Sequence, residues 1–147
     1  MSDTVRTGYP AWEMLPDFGL YMDQLLLFKD RCVPGELTAG MINSYVKSGI
    51  IDRPVGKKYS RDSLAQLLMV CHLKQVTSLE ILKRLLHPGD NTDTRTLYER
   101  FLDGQNRLEQ TLVLRDDMSA LDCALEAACY QQRCRELLAK EQMPAEG

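Results

Sequence analysis

The sequence predicts a mainly α-helical protein. Apolar residues recur at helical spacing in successive stretches from residue 20 to residue 142, Pro-Gly turns cut between several of them, and one segment, residues 50–59, reads differently. That segment pairs an apolar Ile50-Ile51 with Lys57-Lys58-Tyr59 across Asp52-Arg53-Pro54-Val55-Gly56, which predicts a small two-stranded hairpin, or wing. The expected organisation is a head over residues 10–90 and a helical tail over 91–143, packed on the head and serving dimerisation.

Residues 10–17 (PAWEMLPD) form an extended lead-in whose Trp12, the single tryptophan, clamps onto the domain. A first helix is expected over about 20–31, with Leu20, Gln24, Leu27 and Phe28 on one face, stopped by Val33-Pro34-Gly35. The second starts after Thr38, a good N-cap, and ends near Ser48-Gly49, where glycine suits a left-handed C-cap. Its Met41, Ile42, Tyr45 and Val46 face the core. Gly40, Asn43, Ser44 and Lys47, at i, i+3, i+4 and i+7, line the opposite side.

Ser60 caps a third helix, about 61–75, burying Leu64, Leu67, Leu68, Cys71 and Leu73, and Thr77-Ser78-Leu79-Glu80 is a capping-box pattern for a fourth. His87-Pro88-Gly89-Asp90 ends it. One or two helices follow, with a break expected at Asp103-Gly104, then a turn at Asp116-Asp117 and a long last helix capped by Ser119. In that helix Cys123, Ala127, Tyr130, Cys134 and Leu137 alternate by four and three, a coiled-coil seam and the expected dimerisation face.

The 147 residues carry a net charge of -3, distributed unevenly. Residues 31–61 hold Arg31, Lys47, Arg53, Lys57, Lys58 and Arg61 against Glu36 and Asp52, a local +4 that leaves the rest of the chain at -7. No apolar run approaches the ~20 residues of a membrane span, and the start lacks a signal-peptide pattern. A cytoplasmic protein with no membrane partner is expected, its five cysteines reduced. Neither metal-ligand pairs nor a nucleophile elbow, Gly-rich phosphate loop or His–carboxylate pair stands in the sequence, so no metal, cofactor or enzymatic activity is expected.

A polar helix stripe beside a basic loop suits double-stranded DNA. In a major groove Asn reads adenine and Lys reads guanine, and Asn43 and Lys47 lie one turn apart. Ser44 and Tyr45 offer hydroxyls to the backbone, Arg53, Lys57, Lys58 and Tyr59 line the wing, and Arg61 at a helix N-terminus meets phosphate. The plainer readings stand beside these: Asn43 and Ser44 as surface polars, Tyr45 as core, Lys57-Lys58 as a solvated turn.

Tyr45, Gly49-Ile50, Pro54, Lys57-Lys58-Tyr59 and Ser78-Leu79-Glu80-Ile81 come in the order of the head of MerR-type transcription regulators, which residues 41–86 resemble. The resemblance implies a winged helix-turn-helix fold, a phosphate contact for Tyr45 and wing contacts for Lys57, Lys58 and Tyr59. Asn43 stands where that family usually has Arg, and the wing is short. The segments PAWEMLPDFGLYMDQLL, LTAGMINSYVKSGII and KKYSRDSLAQLLMVCHLKQV resemble an uncharacterised bacterial family, domain of unknown function 1836, which implies no activity. The expectation is thus a homodimeric bacterial transcription regulator binding DNA, the alternative a protein-interaction adaptor on the same fold. Cys123, Cys129 and Cys134 read as packing thiols or, across a dimer seam, as a thiol sensor.

Overall fold

A computed structural model describes residues 8–142. After a single 3-10 turn at Trp12–Met14 come α1 (Met22–Cys32), α2 (Ala39–Lys47), α3 (Arg61–Leu73), α4 (Leu79–Leu86), α5 (Thr94–Val113) and α6 (Ala120–Gln142). Two compact units divide between Thr111 and Leu112.

The first unit is built around α3. From Ser63 to Cys71 every residue is buried, so this helix is covered on all sides rather than along one stripe. Ser60 opens it, its hydroxyl accepting from Ser63 N at 3.1 Å. Leu25 of α1, Ile42 and Tyr45 of α2, Leu82 and Leu86 of α4 and Tyr98 of α5 close over it, with Trp12 and Leu15 from the lead-in. Trp12 is thus the clamp expected of it, lying near the Tyr98 ring and under the Arg61 guanidinium.

Side-chain caps start α2 and α6 as expected, and α4 one residue later than the Thr77-Ser78-Leu79-Glu80 box implied, at Ser78. Thr38 accepts from Met41 N, Ser78 from Ile81 N and Ser119 from Asp122 N, while Asp122 Oδ2 accepts in return from Ser119 N. The end of α2 is a Schellman motif. Ile50 N donates to Tyr45 O at 2.9 Å and Gly49 N to Val46 O at 3.0 Å, with Gly49 at φ +81.

The two-stranded wing is not there: the described residues contain no strand, and with it goes the winged form of the fold. Residues 50–59 hold one isolated bridge, Val55 with Lys58, across a two-residue turn whose Gly56 and Lys57 both have positive φ. The chain leaves no room for a ladder. Ile50 and Ile51 bond back to Tyr45 O to finish α2, Tyr59 bridges instead to Leu20, and Ser60 is already the cap of α3. The all-α class stands.

The break expected at Asp103-Gly104 is also absent, since α5 runs unbroken through both. A mid-helix glycine costs about 1 kcal/mol against alanine, which the anchoring of Tyr98 in the core outweighs. In the second unit α6 runs 23 residues, and Arg115 holds Glu126 through two bonds of 3.0 and 2.7 Å.

Candidate nucleic-acid interface

Helix α2 is two-faced. Ile42 and Tyr45 are buried, whereas Gly40, Asn43, Ser44 and Lys47 are all exposed. The separation follows from the 3.6-residue repeat: the apolar positions fall on the side that joins the core, and the small polar ones are left in solvent.

The turn beside it is held by its base rather than by a sheet. Asp52 N donates to Gln66 Oε1 at 2.8 Å and Asp52 O accepts from Ser63 Oγ at 3.0 Å, both side chains belonging to buried α3. Gln66 is completed by Thr94 Oγ1. His87 Nε2 donates to Ile50 O at 2.8 Å and steadies the other end of the link from α2. A buried polar group costs a few kcal/mol unless bonded, so these pairs fix where the chain leaves the core. Beyond them Arg53, Lys57 and Lys58 project into solvent.

Lys58 is steered further. Its ammonium lies 5.4 Å from the centroid of the Tyr21 ring, and its stem packs on Gly19, where a Cβ would come within 3.1 Å of it at φ +85. Between the turn, α1 and α2 runs a groove of about 630 Å³, lined by Met22, Leu26, Asn43, Pro54, Lys57 and Tyr59, with Asp23 on its α1 side. The groove puts Asn43 of the helix stripe and Lys57 of the turn on one surface.

Other sequence candidates lie elsewhere. Tyr45 and Tyr59 are core residues, and burial pushes the Tyr59 hydroxyl up from its ordinary range. Arg61 is engaged internally: its Nη2 pairs with Asp17 at 3.1 Å, its guanidinium stacks on Trp12, and its Nε is buried without a partner among the described residues. Along α6 Cys123, Ala127 and Tyr130 are exposed, Leu137 is 43% exposed and Cys134 is partly covered.

Sequence reasoning passed over Ser63 and Gln66, which hold the Asp52 backbone and so position the turn. The sign was present: two polar residues, three apart, inside the apolar run of α3 need partners. It also passed over Lys29, buried in α1, whose ammonium donates to Gly35 O at 2.5 Å and so braces the loop leading into α2. A second cavity, about 410 Å³, holds Cys32, Cys71 and His72. Burial raises both thiols above their ordinary range, which works against thiolate chemistry. Among the described residues no group of three His, Cys, Asp or Glu is placed to hold a metal, and no helix is long and apolar enough to cross a membrane.

A family model for a domain of unknown function, DUF1836, matches residues 10–101, well over half of the chain. The chain belongs to the DUF1836 family. No curated protein matches it, and no solved structure does. The DUF1836 span takes in the lead-in, α1 to α4, the basic turn and the part of α5 that reaches the core, and it stops short of α6.

Proposed function

We propose that this DUF1836 protein is a DNA-binding transcription regulator, with α2 as the element that enters the major groove and the basic turn as its phosphate contact. One observation carries the reading: the exposed Asn43 side of α2 and the exposed Lys57 of the turn line the same groove. Asn43 and Lys47 read base edges, Gly40 and Ser44 permit close approach, and Arg53, Lys57 and Lys58 neutralise phosphates. The order of aromatic, Gly-aliphatic, Pro and Lys-Lys-Tyr shared with MerR-type heads supports it, although the strands of their wing are missing. Arg61 takes no part, being held by Asp17 and Trp12. The tail joins two copies, so that two weak heads act together through effective concentration.

The test is binding to mixed-sequence duplex DNA over a salt series. Each phosphate contact adds about 0.9 to the slope of log affinity against log salt. Lys57→Glu with Lys58→Glu should abolish binding at low salt while leaving the thermal midpoint within a few degrees. Unchanged affinity in the double variant would reject the turn as a contact, and no binding by the parent chain would reject the function.

A second reading, a protein-interaction adaptor, draws on Phe18 and Val55, which are 70% and 83% exposed: Val55 belongs to the turn, and Phe18 stands two residues before Leu20, which bridges to Tyr59. Retention of a stable protein partner by a chain that binds no DNA, lost on Val55→Asp, is the outcome that favours it.

A further inference from the structure

We infer that the cavity between α1, the loop after it, the end of α3 and the middle of α5 binds a small organic carboxylate with an apolar or aromatic body. It shares no lining residue with the groove beside the basic turn, so it stands whether or not the chain binds DNA. What carries it is a buried cation without a buried counter-charge.

Lys29 of α1 is 1% exposed and lines the cavity. Its ammonium donates to the Gly35 carbonyl, which supplies no charge. Its one ion-pair partner among the described residues is Asp30, 3.5 Å away with a side chain 66% exposed. A solvated carboxylate at that distance offsets little, and a charge taken out of water is costly unless another compensates it. Lys74, the C-cap of α3, brings a second cation to the same cavity. Burial raises the Cys71 thiol, and the charges of Lys74 and Lys29 pull it back down, which sets both cations near one point of the wall. Gln105 of α5 adds a neutral donor. Its amide nitrogen spends one hydrogen on His72 Nε2 and carries a second. A carboxylate accepts from such donors through two oxygens and gains most from those that are charged.

The other walls define the body and the charge of the occupant. The volume is about 410 Å³, toward the lower end of the roughly 300–1,000 Å³ of small-ligand sites. Val33 and Pro34 offer apolar surface, and the Tyr9 and His72 rings, edge to face, offer aromatic surface. Glu36 and Glu109 also line the cavity and repel further negative charge, so a single carboxylate suits it and a phosphate does not. Gly35 stands three residues before Thr38, the cap of α2, so an occupant bears on the loop that leads into that helix.

The probes are benzoate, naphthoate and indoleacetate, each beside its uncharged amide, with benzylamine as a cation and inorganic phosphate as a polyanion. Each is titrated to millimolar concentration into the isotope-labelled full chain and followed by amide chemical shifts. At least one carboxylate should move the amides of residues 33–36, 71–75 and 105–109 together. It should bind at least tenfold more tightly than its own amide. Lys74→Gln should weaken that binding several-fold while the thermal midpoint holds. Lys29→Met, similar in length and uncharged, should weaken it as well, and Lys74→Gln decides alone should that variant unfold. Failure of all three carboxylates to move these amides overturns the site. So does equal binding of acid and amide, tighter binding of benzylamine or phosphate, or binding that Lys74→Gln leaves unchanged.

Discussion

The Tyr98 hydroxyl donates to the carbonyl oxygen of Pro10 at 2.7 Å, a bond that spans 88 positions of the chain. Tyr98 is fully buried and lies beside Trp12, so it ties the lead-in to α5 across the core. Tyr98→Phe keeps the ring and strands the carbonyl, and should cost about 1 kcal/mol. Thermal denaturation should show a midpoint lower by a few degrees; an unchanged midpoint would mean that the bond contributes nothing net.

Asn43 is the residue on α2 best suited to read a base. Its truncation to Ala leaves the cations of the turn untouched. Under the DNA-binding proposal it should remove about 1–3 kcal/mol of discrimination and leave the salt dependence as it was. Selection from a random duplex pool with parent and variant checks this. An identical enriched sequence in both would show that Asn43 does not read bases.

Gly56 sits at φ +58 at the tip of the basic turn, with open space where a Cβ would go. The cost of Gly56→Ala is therefore conformational, not steric contact, and should be about 1–2 kcal/mol. Backbone amide exchange at Lys58, whose N–H bonds to Val55 O at 3.1 Å, should speed up in the variant. Unaltered exchange there would show that the turn does not depend on glycine.

His72 has its Nδ1 3.0 Å from the Tyr9 hydroxyl, its Nε2 against the Gln105 amide nitrogen, and the Phe101 ring edge-on. With Gln105 donating to Nε2, the neutral ring holds its proton on Nδ1 and donates it to Tyr9. Burial lowers the folded-state pKa below the ordinary 6.5. The unfolded chain therefore takes up the proton first. The stability contributed by the neutral ring is present above about pH 6.5 and is lost as pH falls toward the folded-state value. Thermal midpoints across pH 5–8 should fall on the acid side, and His72→Gln should flatten that fall; parallel curves for the two would refute the assignment.

Much of the fold was legible locally. Thr38, Ser60, Ser78 and Ser119 each mark a helix start through a bond to a backbone N–H three residues on. Gly49 marks an end because a left-handed residue is needed there. The polar side of α2 was legible too, since a helical repeat sorts residues by face whatever lies opposite. Less legible was the burial of α3: a helix covered all round shows no single stripe, so Ala65, Gln66, Met69 and Val70 were not singled out.

The chain's own order of residues determined where helices begin and end and which side of α2 is polar, because caps and periodicity act within a few residues. Tertiary structure alone decided what became of residues 50–59 and of Arg61. Tyr59 had two possible partners, a strand at Ile50-Ile51 and the distant Leu20, and it took Leu20 because Ile50 and Ile51 were already committed to the end of α2. Arg61, basic and next to a basic turn, went to Asp17 and Trp12, which lie more than forty positions away in sequence. Competition between near and remote partners is settled by what the packed core leaves exposed, and that is a property of the folded chain as a whole.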